Sequence, residues 1–118
     1  MVEAMPDRGP VAEQVDAYNA RDIDRFVACY TDDVIVEDAA GNVLMRGAEA
    51  LREGYGPFFE ENPGLRGEIL HRVELGDYVV DEERITGWGP TPVHAVVVYH
   101  LAGDRIDHVR LIGSPREA

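Results

Sequence analysis

The sequence predicts an α+β fold, with helices packed on a curved, mostly antiparallel sheet, and three observations carry that prediction. Through the first half of the chain, apart from one short hairpin, apolar residues recur every three or four positions. The breaker Asn62-Pro63-Gly64 follows. Beyond it the apolar period drops to two, as strands require. Helices gathered at the start and strands at the end mean α+β rather than alternating α/β. A sheet of this kind can curl around the helices as an open cone with a cavity between the layers.

Residues 1–9 are expected to form a flexible arm, residues 10–113 a single domain and residues 114–118 a tail. From Pro10, the spacing of Val11, Val15 and Tyr18 marks one face of a helix with proline at its start. After Asn19-Ala20-Arg21, Asp22 can cap a second helix whose stripe is Ile23, Phe26, Val27 and Tyr30. An acidic corner at Asp32-Asp33 leads to the apolar run Val34-Ile35-Val36, which ends on Glu37 and Asp38. The Gly41-Asn42 turn sends the chain back as Val43-Leu44-Met45, a small hairpin. Gly47 ends it, and Ala48, Leu51, Tyr55, Phe58 and Phe59 describe a third helix, expected to distort near Gly54, Gly56 and Pro57. Four strands follow. In the first, Leu65, Ile69, His71, Val73 and Leu75 share one face, with Leu70 alone breaking the alternation. Tyr78 to Trp88 has mixed faces, Val93 to Leu101 is nearly all apolar and reads as a central strand, and Arg105 to Ile112 is the last.

Composition excludes several kinds of function. The 118 residues carry 11 basic and 23 acidic side chains, a net charge of −12. Phosphate backbones and anionic membrane surfaces need basic patches, so neither nucleic acid nor membrane is expected as a partner. All the basic residues are Arg, which removes lysine Schiff-base chemistry. The single Cys29 lies on an apolar helix and reads as a small packed hydrophobe. No secretory leader is evident at the start of the chain, and a cytoplasmic location is expected. The four histidines show no metal-ligand spacing and nothing resembles a phosphate loop, so no metal or other cofactor is expected.

A few polar residues in apolar surroundings stand out. Asp38, at the end of a strand and before a turn, is either a turn former or a base held at the mouth of the cavity. His71 reads as a core histidine with a hydrogen-bond partner, or as an acid facing Asp38 if its strand face lines the cavity. Tyr99 shares a strand face with Val97 and is a core aromatic or a hydroxyl donor, while His94 and His100 fall on the opposite face. Tyr18 and Phe58 are expected in the core or the cavity wall. Asp81-Glu82-Glu83-Arg84 is unusual in mid-strand: one parity turns Glu82 and Arg84 inward, the other Asp81 and Glu83, and a solvated edge would also hold such a run.

The runs Tyr-Asn-Ala-Arg-Asp-Ile-Asp-Arg-Phe at 18–26 and Tyr-Thr-Asp-Asp-Val-Ile-Val-Glu-Asp at 30–38, with Gly-Ala-Glu-Ala-Leu-Arg-Glu at 47–53, resemble the NTF2-like superfamily. Within it the resemblance is to the ketosteroid isomerases and the SnoaL-like polyketide cyclases. It implies the NTF2-like cone, a small apolar carbonyl ligand and a homodimer packed through the outer face of the sheet. Carried over by position, the isomerase's general base falls on Asp38 and its supporting tyrosine on Tyr55. The two groups that hydrogen-bond the enolate fall on Gln14 and Val97, so efficient steroid isomerisation is not expected. The reading is a cofactor-free enzyme that moves a proton beside a carbonyl, with Asp38 as base and Tyr55, Gln14, His71 or Tyr99 polarising the substrate. A ligand-binding or dimeric accessory domain that kept the cone without the chemistry is the alternative.

Overall fold

The computed structural model describes residues 9–113. The expected arm, apart from Gly9, and the expected tail lie outside the described residues. Helix α1 spans Gly9–Ala20 and α2 spans Ile23–Ala28. Asp22 caps α2, its carboxylate accepting the Arg25 N–H at 3.2 Å. Arg21 turns the chain between them at φ 54°.

Strand β1, Tyr30–Asp38, starts earlier than the acidic corner suggested. Tyr30 already pairs with Ile106, and the register is irregular between Tyr30 and Ile35, so Asp32 and Asp33 sit on an exposed distortion of a strand rather than in a turn. Strand β2, Val43–Arg46, returns antiparallel, and α3, Ala48–Glu61, begins at Gly47. The expected distortion of α3 is not seen as a break: the helix is continuous through Pro57.

The remaining strands are β3 Arg66–Leu75, β4 Tyr78–Thr86, β5 Val93–Ala102 and β6 Arg105–Ile112. They complete one six-stranded sheet of order β2-β1-β6-β5-β4-β3, antiparallel except where β1 meets β6. The three helices cover one face. Phe26, Leu51 and Phe59 from the helices pack there against Val34, Val36, Val97, Tyr99, Ile106 and Val109 of the strands.

One register shift decides the site. Ile69 of β3 faces Glu83 of β4, yet His71 faces Glu82, so Leu70 is an extra residue, a β-bulge. Because side chains alternate with a period of two, one inserted residue turns everything after it to the other face. Gly67 and Ile69 point inward before the bulge and Arg72 points inward after it. His71, Val73 and Leu75 are turned out, with Val73 59% and Leu75 76% exposed. The uninterrupted apolar face expected from Leu65 to Leu75 therefore does not form.

Candidate active site

The concave face and the helices enclose a cavity of about 650 Å³. Its wall is mostly apolar and aromatic: Tyr18 from α1, Phe26 from α2, Tyr55 and Phe58 from α3, and Trp88 from the β4–β5 loop. Phe58 and Trp88 meet edge to face at 5.1 Å, and Phe26 and Tyr55 lie 4.8 Å apart. Gln14, Val97 and Tyr99 also line it. Among the described residues its charged lining groups are Asp38 and Glu83, both acids.

Glu83 stands at the centre of the polar part. Alternation along β4 turns Val79, Asp81, Glu83 and Ile85 inward, which resolves the parity that the sequence left open. Its carboxylate accepts the Tyr99 hydroxyl at 3.4 Å. That hydroxyl in turn accepts the Gln14 side-chain amide N–H at 3.0 Å, and the Gln14 amide oxygen accepts the Tyr30 hydroxyl at 3.1 Å. Gln14 Nε2 also donates to the Val11 carbonyl at 3.1 Å, which fixes which end of the amide faces Tyr99. Because an ionised Glu83 can only accept, the Tyr99 hydroxyl donates its proton toward it while accepting from Gln14. Tyr30, Gln14, Tyr99 and Glu83 thus form one directed chain from α1 and β1 across to β4.

Loss of hydration inside the cavity pushes the Glu83 carboxyl up to about 7, and the charge of Asp81 adds to the rise. The Tyr99 hydrogen bond and Arg72 oppose it. Burial raises the surrounding phenols as well, Tyr55 to about 12, and Tyr18, Tyr30 and Tyr99 are likewise pushed up from the ordinary phenol value, so all four remain neutral donors. Glu83 is then a group whose proton comes and goes near neutrality, surrounded by hydroxyls that do not ionise.

Asp38 lies at the rim of the same cavity, where its environment is the opposite of the one expected for a base in apolar walls. Oδ1 accepts the N–H groups of Ala40 and Asn42 at 3.0 and 2.9 Å, and Oδ2 accepts the Asn42 side-chain amide at 3.0 Å. These bonds, the Asn42 side chain first, hold its carboxyl below the usual carboxylate value. Locally, Asp38 closes the β1–β2 turn.

The remaining expectations divide cleanly. Tyr55 and Tyr18 reach the cavity as part of its aromatic wall, and Phe58 and Val97 line it. Gln14 is buried and bonded to two tyrosines, so Tyr30 and Tyr99 bring hydroxyls to the place where position 14 itself has an amide. His71 is corrected: neither a core histidine nor a cavity residue, it is thrown outward by the Leu70 bulge, where its Nδ1 lies 2.9 Å from Glu82 on the exposed outer face. It cannot meet Asp38. His94, on that same face, shares Glu82 at 2.7 Å. Glu83, which the sequence left as one of two possible inward parities, and Tyr30, which it placed on a helix stripe, are functional candidates that sequence reasoning did not select. Val79 and Ile85 share the parity of Glu83 and point to it, but the equally apolar Val80 points the other way.

Comparison with known proteins agrees with this architecture. The sequence pattern described as a SnoaL-like domain matches residues 11–109. A protein of Novosphingobium aromaticivorans with a cystatin fold is 31% identical, with a TM-score of 0.79 over 87% of this chain and 94% of that one. An NTF2-like protein of Cytophaga hutchinsonii reaches a TM-score of 0.78 at 17% identity, covering 99% and 97%. A protein of Catenulispora acidiphila with a ketosteroid isomerase-like fold, crystallised with trimethylamine, reaches 0.70 at 19% identity, covering 92% and 85%. A search of curated proteins finds no match.

Proposed function

Since this chain belongs to the SnoaL-like domain family, we propose that its cavity binds a small, mostly apolar carbonyl compound and moves a proton at the carbon beside the carbonyl. The observation that carries this reading is Glu83: a carboxyl poised near pH 7 inside an apolar cavity is matched to taking up and returning a proton at neutral pH. Tyr18 and Tyr55 line the same space, and their neutral hydroxyls are suited to hold the carbonyl oxygen as charge builds on it. Carboxyl and hydroxyls supply acid, base and polarising groups from the chain itself. With two acids and no basic residue among the described lining, the cavity favours neutral molecules over anions. The trimethylamine held by the Catenulispora protein supports this kind of fold as a site for small organic molecules.

A second assignment keeps the reaction and gives the base to Asp38, supported by its place on the cavity rim. Its turn hydrogen bonds favour the ionised form and weaken it as a base, so Glu83 is the stronger assignment. Ketones and phenols found to bind by thermal shift would be followed in D2O by NMR, which reads exchange of α-protons without requiring a known product. Glu83→Gln is expected to lower the exchange rate at least ~100-fold, the usual scale of general acid–base catalysis, with Asp38→Asn changing it little. The reverse pattern would move the base to Asp38. Binding without exchange in the wild-type protein would leave a ligand-binding domain and sink the enzyme.

We also propose that the outer sheet face pairs two copies of the chain. Supporting it are Val73, Leu75 and Tyr78, exposed together at the β3–β4 end.

A further inference from the structure

We infer that the Arg72–Asp81 ion pair is a positioning device for Glu83: by binding the guanidinium that, among the described residues, reaches this part of the interior, Asp81 keeps Glu83 free to hold and release its proton. The inference rests on Glu83 as the proton-transferring group.

Asp81 and Glu83 are two residues apart on β4, so both carboxyls face inward, with their backbones about 7 Å apart. The fully buried Asp81 is register partner to Arg72 of β3. Arg72 meets it two-pronged, Nε to Oδ1 at 2.6 Å and Nη2 to Oδ2 at 2.8 Å. Arg72 reaches this place because the Leu70 bulge reverses the faces of β3. Without the extra residue His71 would be the inward side chain. The other titratable groups around Glu83 are Tyr99 of β5, Tyr30 of β1, Tyr18 of α1 and Tyr55 of α3, all phenols kept neutral by burial. The ion pair is therefore the source of charge that acts on Glu83 from the described interior.

Neutralising Asp81 has a definite sign. Asp81→Asn removes a negative neighbour and leaves the Arg72 charge no longer offset by Asp81, and both changes favour the carboxylate. A pair that only held the sheet together would change the melting temperature without moving that titration.

The test is the titration of Glu83 in protein carrying carboxyl-13C glutamate, with Glu83→Gln to assign the resonance. The midpoint is expected near 7 in the wild type and lower by about one pH unit or more in Asp81→Asn. The double variant Arg72→Met/Asp81→Leu replaces the pair with apolar side chains, which buried pairs often tolerate, and should fall between the two. It carries the test if Asp81→Asn does not fold. A wild-type midpoint at the ordinary glutamate value overturns the proton-transfer reading together with this one. A wild-type midpoint near 7 that stays put in folded Asp81→Asn, or that is matched or exceeded in the double variant, overturns the positioning role alone.

Discussion

At the scale of single residues, the chemistry is divided between carboxylates whose surroundings push them in opposite directions. Glu83 is raised by burial, whereas Asp38, Glu37 and Glu82 are lowered by hydrogen bonds to Asn42, to His108 and Arg110, and to His71 and His94. The consequences for stability have opposite signs. Glu83 binds its proton more tightly folded than unfolded, so its contribution is present in full below the unfolded value near 4.5 and is lost as pH rises through 7. The three lowered carboxylates contribute above their unfolded values and lose that contribution as pH falls. Denaturant unfolding of the wild type should therefore show stability declining between about pH 4.5 and 7 against the trend of the other acids. Glu83→Gln should remove that decline, worth on the order of 3 kcal/mol. An unchanged pH dependence in Glu83→Gln would mean that Glu83 titrates normally.

At the scale of elements, short irregularities do the positioning. The bulge at Leu70 exchanges His71 for Arg72 as the inward side chain of β3. The β4–β5 connection, which delivers Trp88 to the cavity, passes close over the β3 entry. Gly87 has φ +82°, and a Cβ there would lie 2.0 Å from the Gly64 carbonyl oxygen. Gly87→Ala must open that contact and adopt a left-handed backbone, which predicts a loss of about 2 kcal/mol or more in thermal or denaturant unfolding. The same substitution should weaken ligand binding by displacing Trp88. A stable Gly87→Ala with unchanged affinity would show that the loop repacks freely.

At the scale of the whole molecule, one curved sheet separates two chemistries. The concave face carries the apolar cavity and the phenol-ringed Glu83. The convex face carries the histidine–acid pairs His71 and His94 with Glu82, His100 with Asp107, and His108 with Glu37, beside exposed Val73, Leu75 and Tyr78. Pairing of two chains on that convex face predicts a mass in light scattering twice the 13.1 kDa of one chain. Leu75→Glu should return it to 13.1 kDa while leaving ligand binding at the concave face intact. A monomeric wild type at high protein concentration would remove the dimer.

Periodicity determined the class of fold and the order of its elements, and residue type the Asp22 cap and the turn after Asp38, because each depends on neighbours a few residues apart; the excess of acid needs only the composition. The cone could be expected for the same reason, and motif resemblance placed it in a superfamily. What the chain could not reveal by itself is which side of a strand faces in once its rhythm is broken. Leu70 was visible as a lapse in alternation, but whether it was a tolerated apolar residue or an inserted one depended on the partner strand. That one pairing sent His71 to the surface, brought Arg72 to Asp81 and left Glu83 among the tyrosines. Asp38 shows the same limit from the other side: its position on the rim was legible, while the three hydrogen bonds that lower its carboxyl exist only once the turn has closed. Local spacing sets which residues are apolar and where the chain bends. Register, and with it the protonation of a buried carboxyl, is set by contacts between strands distant in sequence.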